Sequence, residues 1–183
     1  MLIDRPETRD FARTHLAEWY PGASVTFLSV CTRGAALSAL AAVATGRDFA
    51  APMIVDLADI LYSGVLNPVA AFSADPDLGA VALTFRANNP VYSYLRTDAD
   101  GRFVEAAEKR VISNEASAGT YLFRDTPVFL RALAHGMENE ESQTFRDLFF
   151  VCPLLNGVRA HSKTVLLESV GNVHDIKVDP LHA

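Results

Sequence analysis

The sequence lacks the short motifs by which the common enzyme classes are recognised. None of its 10 glycines falls into a G-x-G-x-x-G or G-x-x-x-x-G-K-[ST] phosphate loop, and G-x-S-x-G and H-E-x-x-H are also absent. The 2 cysteines, Cys31 and Cys152, form no Cys-x-x-Cys pair, so we expect two reduced, partly buried thiols. The 5 histidines are scattered, which favours surface or cap positions over metal binding. Any catalytic chemistry must therefore depend on other side chains.

Charge and hydropathy exclude several further classes. The 16 Lys and Arg residues are outnumbered by 22 Asp and Glu, so a net charge of -6 argues against binding the phosphate backbone of a nucleic acid polymer. No apolar run reaches the roughly 20 residues that cross a bilayer, and no secretory signal is visible. Half of the 183 residues are hydrophobic, which excludes general disorder. We expect a globular, cytoplasmic protein with no membrane contact, forming a single domain over 1–183.

The pattern of apolar residues predicts an α/β fold. Helices are expected over 8–19 and 34–45, and strands over 25–30 and 52–57. This alternation is typical of a mostly parallel sheet with helices on both faces. The tail from Gly171 is expected to be irregular. Further along the chain the pattern predicts strands over 80–85, 92–97, 102–105, 117–123 and 164–168, a hairpin turn over 98–101 and a helix over 128–137.

Three polar clusters lie where predicted strands end, which is where α/β sheets bind ligands. The loop 32–36 leads into a helix and either faces a ligand with its backbone N–H groups or is an ordinary helix start capped by Thr32. Asp59 follows a buried strand and either holds a divalent cation or caps a turn. The charged segment 105–110 follows the hairpin and either contributes to a ligand site or is a solvated face.

The segment 88–124 carries a longer pattern. It contains, in order, N-P-V-Y-S-Y-L, D-A-D-G-R-F-V-E, A-E-K, I-S-N and A-G-T-Y-L-F. In order and spacing this resembles the sugar-phosphate nucleotidyltransferases, or sugar-nucleotide pyrophosphorylases. The T-R-G-A-A loop at 32–36 is similar to the T-x-G-A-A loop of capsule-biosynthesis members, and P-M-I-V before Asp59 is similar to the strand that delivers the family's metal-binding aspartate.

The resemblance implies a fold and a set of roles. The fold would be Rossmann-like, of the glycosyltransferase-A-like type. The 32–36 loop, with Thr32, Arg33, Gly34 and Ala35, would bind the nucleotide base, and Asp59 with Asp175 would bind Mg²⁺. Tyr92 and Ser93 would flank the sugar, Glu108 would bind its hydroxyls, Lys109 would neutralise the sugar phosphate, and Asn114 and Gly119 would shape the pocket wall.

The chain departs from the family pattern at its start. The family opens with a first strand and a G-x-G-x-R loop that holds the triphosphate, and neither is present in the sequence. We therefore expect an N-terminally truncated fold lacking that unit, which binds a nucleotide or sugar phosphate and is catalytically impaired alone. The alternatives are an active enzyme completed by another chain or by preceding residues, and a structural interaction subunit. Since the strand over 25–30 or 52–57 would keep an open edge, we expect a homo-oligomer or a partner chain to cover it.

Overall fold

The fold is described from a computed structural model that covers residues 1–46, 48–64 and 67–176. It contains ten strands and a set of mostly short helices. In chain order these are β1 (Leu2–Ile3), α1 (Pro6–Phe11) continuing through a π-helical turn (Ala12–Leu16) into α2 (Ala17–Trp19), β2 (Phe27–Leu28), α3 (Ala35–Val43), β3 (Met53–Asp56), β4 (Ile60–Ser63), α4 (Pro68–Ala74), β5 (Leu78–Arg86), β6 (Tyr94–Thr97), β7 (Phe103–Ala107), β8 (Glu115–Phe123), α5 (Thr126–Glu138), α6 (Glu140–Gln143), α7 (Leu154–Ala160), β9 (Thr164–Ser169) and β10 (Gly171–Asp175).

The main sheet has six strands and is mixed. Its order is β7-β6-β8-β5-β9, and β3 also pairs with β8. β8 is antiparallel to β3, β5 and β6, whereas β5 and β9 are parallel. Four strands therefore point one way, and β7 and β8 point the other. The α/β class is confirmed. The antiparallel pairing of β3 with β8 differs from the parallel pairing expected for 52–57, because a short apolar run does not encode the direction of its partner.

Helices pack on both faces of this sheet, as predicted. On one face, α3, α5 and α7 cover Tyr121 and Phe123 of β8, and the fully buried Phe129 stacks edge-on against Phe123 with ring centroids 5.3 Å apart. On the other face, Phe72 of α4 packs on Leu122. Successive residues of β8 thus alternate between two cores, as the pleat of a strand requires. Burying each large apolar side chain contributes about 1.5–3 kcal/mol.

No residue before Ala35 is a member of these cores. β1 and β2 form a separate two-stranded parallel sheet, and no residue before Ala36 is fully buried. The predicted helix over 8–19 is confirmed, and the rings of Phe11, His15 and Trp19 contact one another in a cluster with centroids 5.3–6.0 Å apart. The strand expected over 25–30 is shorter than predicted, since only Phe27–Leu28 pairs with β1.

The prediction of an irregular tail from Gly171 is wrong. Residues Gly171–Asp175 form β10, which pairs antiparallel with β4 and places Asp175 opposite Ile60. This pairing joins residues more than 100 positions apart, so the local pattern of the tail carries no signal for it. Among the described residues, no helix is long and apolar enough to span a membrane. A single domain over 1–183 stays a prediction, because residues 177–183 lie outside the described part.

Candidate functional site

One cleft brings together most of the residues selected from the sequence. Its volume is about 350 Å³, and its wall is formed by the segment after β3, the segment before β6, the residues after β7, the middle of β8 and the end of β10. Eight of the twelve predicted site residues line it: Ala35, Asp59, Tyr92, Ser93, Glu108, Lys109, Gly119 and Asp175. Residues as far apart in the chain as Ala35 and Asp175 thus line one pocket.

The turn that carries Asp59 is fixed on both sides. The Leu57 N–H donates to the Gly119 carbonyl of β8 (3.1 Å), and the Ile176 N–H donates to the Asp59 carbonyl (3.2 Å). Gly119 has a φ of +81°, and a Cβ added there would lie 3.3 Å from Asp59 Oδ1. The absence of a side chain at Gly119 therefore gives the Asp59 carboxylate its place against the strand.

Glu108 and Lys109 follow β7 at one side of the cleft. The Ser93 hydroxyl donates a hydrogen bond to Glu108 Oε2, and the Ser93 carbonyl accepts from the Ser117 N–H (2.9 Å). Lys109 adopts a left-handed backbone conformation with φ of +49°, and its Nζ lies 5.9 Å from the centre of the Phe145 ring. The carboxylate and the ammonium group are thus held in a defined order along the wall.

The inner wall of the cleft is a small polar cluster that the sequence did not single out as functional. The Ser117 hydroxyl donates to the Tyr121 hydroxyl (2.7 Å) and accepts from the Gly119 N–H (3.0 Å). Cys152 is buried beside them, whereas Cys31 is exposed. Burial and the nearby Glu108 carboxylate raise the pKa of the Cys152 thiol well above its usual range. Cys152 therefore stays protonated and is a poor nucleophile.

Tyr92 connects the cleft to the last strand. Burial, followed by a hydrogen bond to the Asp175 carboxylate, raises the pKa of Tyr92 to about 12. On its other side, the Tyr92 ring packs edge-on against Phe85, with centroids 5.1 Å apart. The Tyr92 hydroxyl thus remains a donor at neutral pH and holds Asp175 at the cleft.

The predicted base-binding loop reaches the cleft only through Ala35. Gly34 (φ +104°) packs so closely on Phe149 that an added Cβ would lie 2.7 Å from its backbone nitrogen. The Phe149 N–H donates to the Arg33 carbonyl (2.8 Å), and the Ala36 N–H donates to the Phe149 carbonyl (3.0 Å). The Arg33 carbonyl and the Ala36 N–H are therefore already bonded within the protein.

Three other predicted residues also lie outside the cleft lining. The Arg33 guanidinium pairs with the Glu140 carboxylate and donates to the Asp147 carbonyl (3.2 Å). The Thr32 hydroxyl bonds to Ser38 (2.7 Å) rather than capping α3, whose N-cap residue is Gly34. Asn114 contributes its backbone carbonyl, which accepts from the Ala87 N–H (3.2 Å). Their predicted contacts with substrate stay predictions.

The donor atoms at the cleft suit a hard divalent cation that is shared with a ligand. Asp59 and Asp175 both line it, and their carboxylate oxygens are the ligand type that Mg²⁺ prefers. In the part of the chain that the structure describes, no three acidic, histidine or cysteine side chains form a complete metal cage. Because Mg²⁺ is commonly bound by one or two carboxylates together with waters and substrate phosphates, the pair fits such an ion.

Comparison with known proteins gives structural matches only. No protein-family profile and no curated protein sequence matches the chain. A solved structure of a nucleoside-diphosphate-sugar pyrophosphorylase from Vibrio cholerae RC9 is similar over 99% of this chain and 77% of that chain, with a TM-score of 0.78 and 18% identity. A Bacillus anthracis protein described as a glucose-1-phosphate thymidylyltransferase, solved with sucrose, is similar over 95% of this chain and 69% of that chain, with a TM-score of 0.67 and 19% identity. At this identity the comparison establishes the fold alone: the chain has the α/β fold of these two proteins.

Proposed function

We propose that the cleft binds a nucleotide or a sugar phosphate. The observation that carries the proposal is the order of groups along one wall, with Glu108 oriented by Ser93, Lys109 next to it and Asp59 against Gly119. A sugar needs fixed hydrogen-bond acceptors for its hydroxyls, and a phosphate needs positive charge. The cleft offers both within about 350 Å³, a volume suited to a small ligand.

The charge of each cleft side chain suggests which part of the ligand it would bind. Glu108, whose carboxylate already accepts from Ser93, would accept from sugar hydroxyls. Lys109 would balance a phosphate, which matters in a chain whose net charge is -6. Asp59 and Asp175 would hold Mg²⁺, which supplies charge neutralisation at phosphate oxygens when it is bound.

A second candidate is catalysis of nucleotidyl transfer, which the presence of Asp59, Asp175 and Lys109 at one cleft favours. In that reaction an oxygen of a sugar 1-phosphate attacks the α-phosphorus of a nucleoside triphosphate. The bond between the α-phosphorus and the bridging oxygen breaks, and pyrophosphate leaves. Such a reaction depends on positioning and charge neutralisation, so it needs no nucleophilic side chain. A cytoplasmic location and a part in capsule polysaccharide biosynthesis stay predictions.

A ligand panel tests the binding function. Thermal unfolding is followed with Mg²⁺ and a set of nucleoside triphosphates, sugar 1-phosphates and nucleotide sugars, and a ligand at 100 times its Kd should add about 2.7 kcal/mol to the free energy of unfolding. Asp59→Asn should remove the Mg²⁺-dependent part of the shift, whereas Asp77→Asn, outside the cleft, should not. Release of pyrophosphate in the same samples would establish the second candidate. A panel without any shift would contradict both and favour a structural interaction subunit.

The edge of the sheet supports an interaction with another chain. Among the described residues β3 hydrogen-bonds to β8 alone, so its other edge is open, and Ile54 and Leu61 nearby are 54% and 57% exposed. Open edges and exposed apolar side chains favour association. We therefore propose a homo-oligomer or a complex with a partner chain. Sedimentation velocity over a concentration series should show self-association of the purified chain, and a monomer at every micromolar concentration would contradict the homo-oligomer.

A further inference from the structure

A second groove lies on the far side of the Glu108–Lys109 wall. It has a volume of about 650 Å³ and shares only Glu108 and Lys109 with the lining of the cleft. Its other walls are the outer edge of β7 and the segment from α6 to α7. The two spaces are therefore adjacent, and Glu108 and Lys109 lie between them.

The groove is built from fixed elements. The Asn156 amide of α7 pairs with the edge of β7, since its Oδ1 accepts from the Ala106 N–H (2.8 Å) and its Nδ2 donates to the Ala106 carbonyl (2.9 Å). The same Nδ2 also donates to Gln143 Oε1 of α6 (2.9 Å). One amide therefore joins the strand and both helices, and the groove keeps its shape without a ligand.

The charge inside the groove is mainly positive. Glu105 is neutralised by two guanidinium groups, those of Arg96 (2.9 Å) and Arg110 (2.6 Å), and these contacts lower the pKa of its carboxyl. Lys109 and Arg159 also line the groove, and neither forms an ion pair with any carboxylate of residues 1–46, 48–64 or 67–176. Glu108 also lines the groove, so three cationic side chains, those of Lys109, Arg110 and Arg159, face two carboxylates there.

Lys109 lines both spaces. Its Nζ lies 5.9 Å from the centre of the Phe145 ring, and Phe145 lines the groove rather than the cleft. The left-handed backbone at Lys109 (φ +49°) turns the chain at this point of the wall. Lys109 thus belongs to both the cleft and the groove, whereas Arg159 lines the groove and not the cleft.

We propose that the groove binds a second acidic group on the ligand, so that the preferred ligand is a sugar phosphate bearing a further phosphate or carboxylate. The inference rests on the proposed function, since the sugar phosphate itself is bound in the cleft. Glu108 meets the sugar hydroxyls and Lys109 the sugar phosphate at the shared wall, while Arg159 meets the added negative charge, where charge-assisted hydrogen bonds are the strong ones. His135 also lines the groove.

Isothermal titration calorimetry tests this with three matched probes: glucose 1-phosphate, glucose 1,6-bisphosphate and glucuronic acid 1-phosphate. We expect the two doubly acidic probes to bind at least about tenfold more tightly than glucose 1-phosphate. Arg159→Gln should abolish this preference while leaving glucose 1-phosphate binding unchanged, and Arg159→Lys should retain most of it. Arg131→Gln is the matched control, because Arg131 is an exposed helical arginine that does not line the groove.

The outcomes separate the two proposals. Equal affinity for all three probes in the wild-type protein would overturn the acidic-group inference and leave sugar-phosphate binding in place. A preference that Arg131→Gln reduces as much as Arg159→Gln would also overturn it, because the effect would then follow overall charge. Failure of every probe to bind would overturn the inference together with sugar-phosphate binding, and nucleotide binding would remain for the wider ligand panel.

Discussion

Replacing Gly34 by alanine should lower the free energy of unfolding by about 3 kcal/mol or more. The residue has a φ of +104°, where an L-residue is strained, and the new methyl carbon would lie 2.7 Å from the Phe149 nitrogen and 2.8 Å from its carbonyl carbon. The Phe149 backbone has little freedom to move away, because its N–H and carbonyl are hydrogen-bonded to Arg33 and Ala36. Urea unfolding followed by circular dichroism measures the loss.

Substitutions at two other glycines distinguish the cost of a positive φ from the cost of a steric clash. Gly101 also has a positive φ (+77°) but has nothing within 4 Å of an added Cβ, so Gly101→Ala should cost only the backbone term of about 1–2 kcal/mol. Gly22 has open space and no such φ, so Gly22→Ala should change stability by less than about 0.5 kcal/mol. If Gly34→Ala lowered the free energy of unfolding no more than Gly101→Ala, the predicted steric clash with Phe149 would be contradicted.

Replacing Lys109 by methionine should weaken binding of glucose 1-phosphate about 10- to 150-fold. Methionine keeps the unbranched stem but removes the charge, and a charged hydrogen bond to phosphate contributes about 1.5–3 kcal/mol. Stability should change little, because Lys109 forms no ion pair among the described residues. Titration calorimetry of wild type and variant measures the change.

Lys163→Met is the matched control for this prediction. Lys163 donates to the Pro76 carbonyl (3.1 Å) and lies near Asp77 (3.6 Å), and it does not line the cleft. Its replacement should leave the Kd for glucose 1-phosphate within about twofold of the wild-type value. Unchanged binding by Lys109→Met, or an equal loss in both variants, would remove Lys109 from the phosphate-binding role.

Much of the fold follows from patterns within short stretches of sequence. The hairpin of β6 and β7 is confirmed because D-A-D-G is a strong local turn signal, and Asp98 accepts from the N–H groups of Asp100 and Arg102 in that turn. α4 was missed although Asn67-Pro68 is a helix-start signal, and Asn67 does cap the helix by accepting from the Ala70 N–H (3.0 Å). The alanines and few polar residues of this segment concealed its helical period.

The part of the site that sequence analysis could place is the part near strand ends. Asp59, Glu108 and Lys109 lie shortly after strands, where ligands commonly bind in α/β sheets. β3 and β7 run in opposite directions, and their ends meet because β3 and β6, the partner of β7, pair with successive parts of β8. The environment of Arg33 could not be foreseen, since its partners Glu140 and Asp147 are more than 100 positions away. Only three-dimensional packing shows which side chains of the 32–36 loop are already used within the protein.

The hydrogen bond between Tyr92 and Asp175 has a consequence for the order of folding. The wall of the cleft is complete only when β10 has paired with β4, and these strands are separated by more than 100 residues. Contacts between distant parts of a chain form slowly, because the intervening segment must first lose its conformational freedom. During synthesis β10 is made after the other described strands, whereas β5 to β8 pair through nearer neighbours. The nascent polypeptide should therefore acquire a folded sheet before it acquires a binding site.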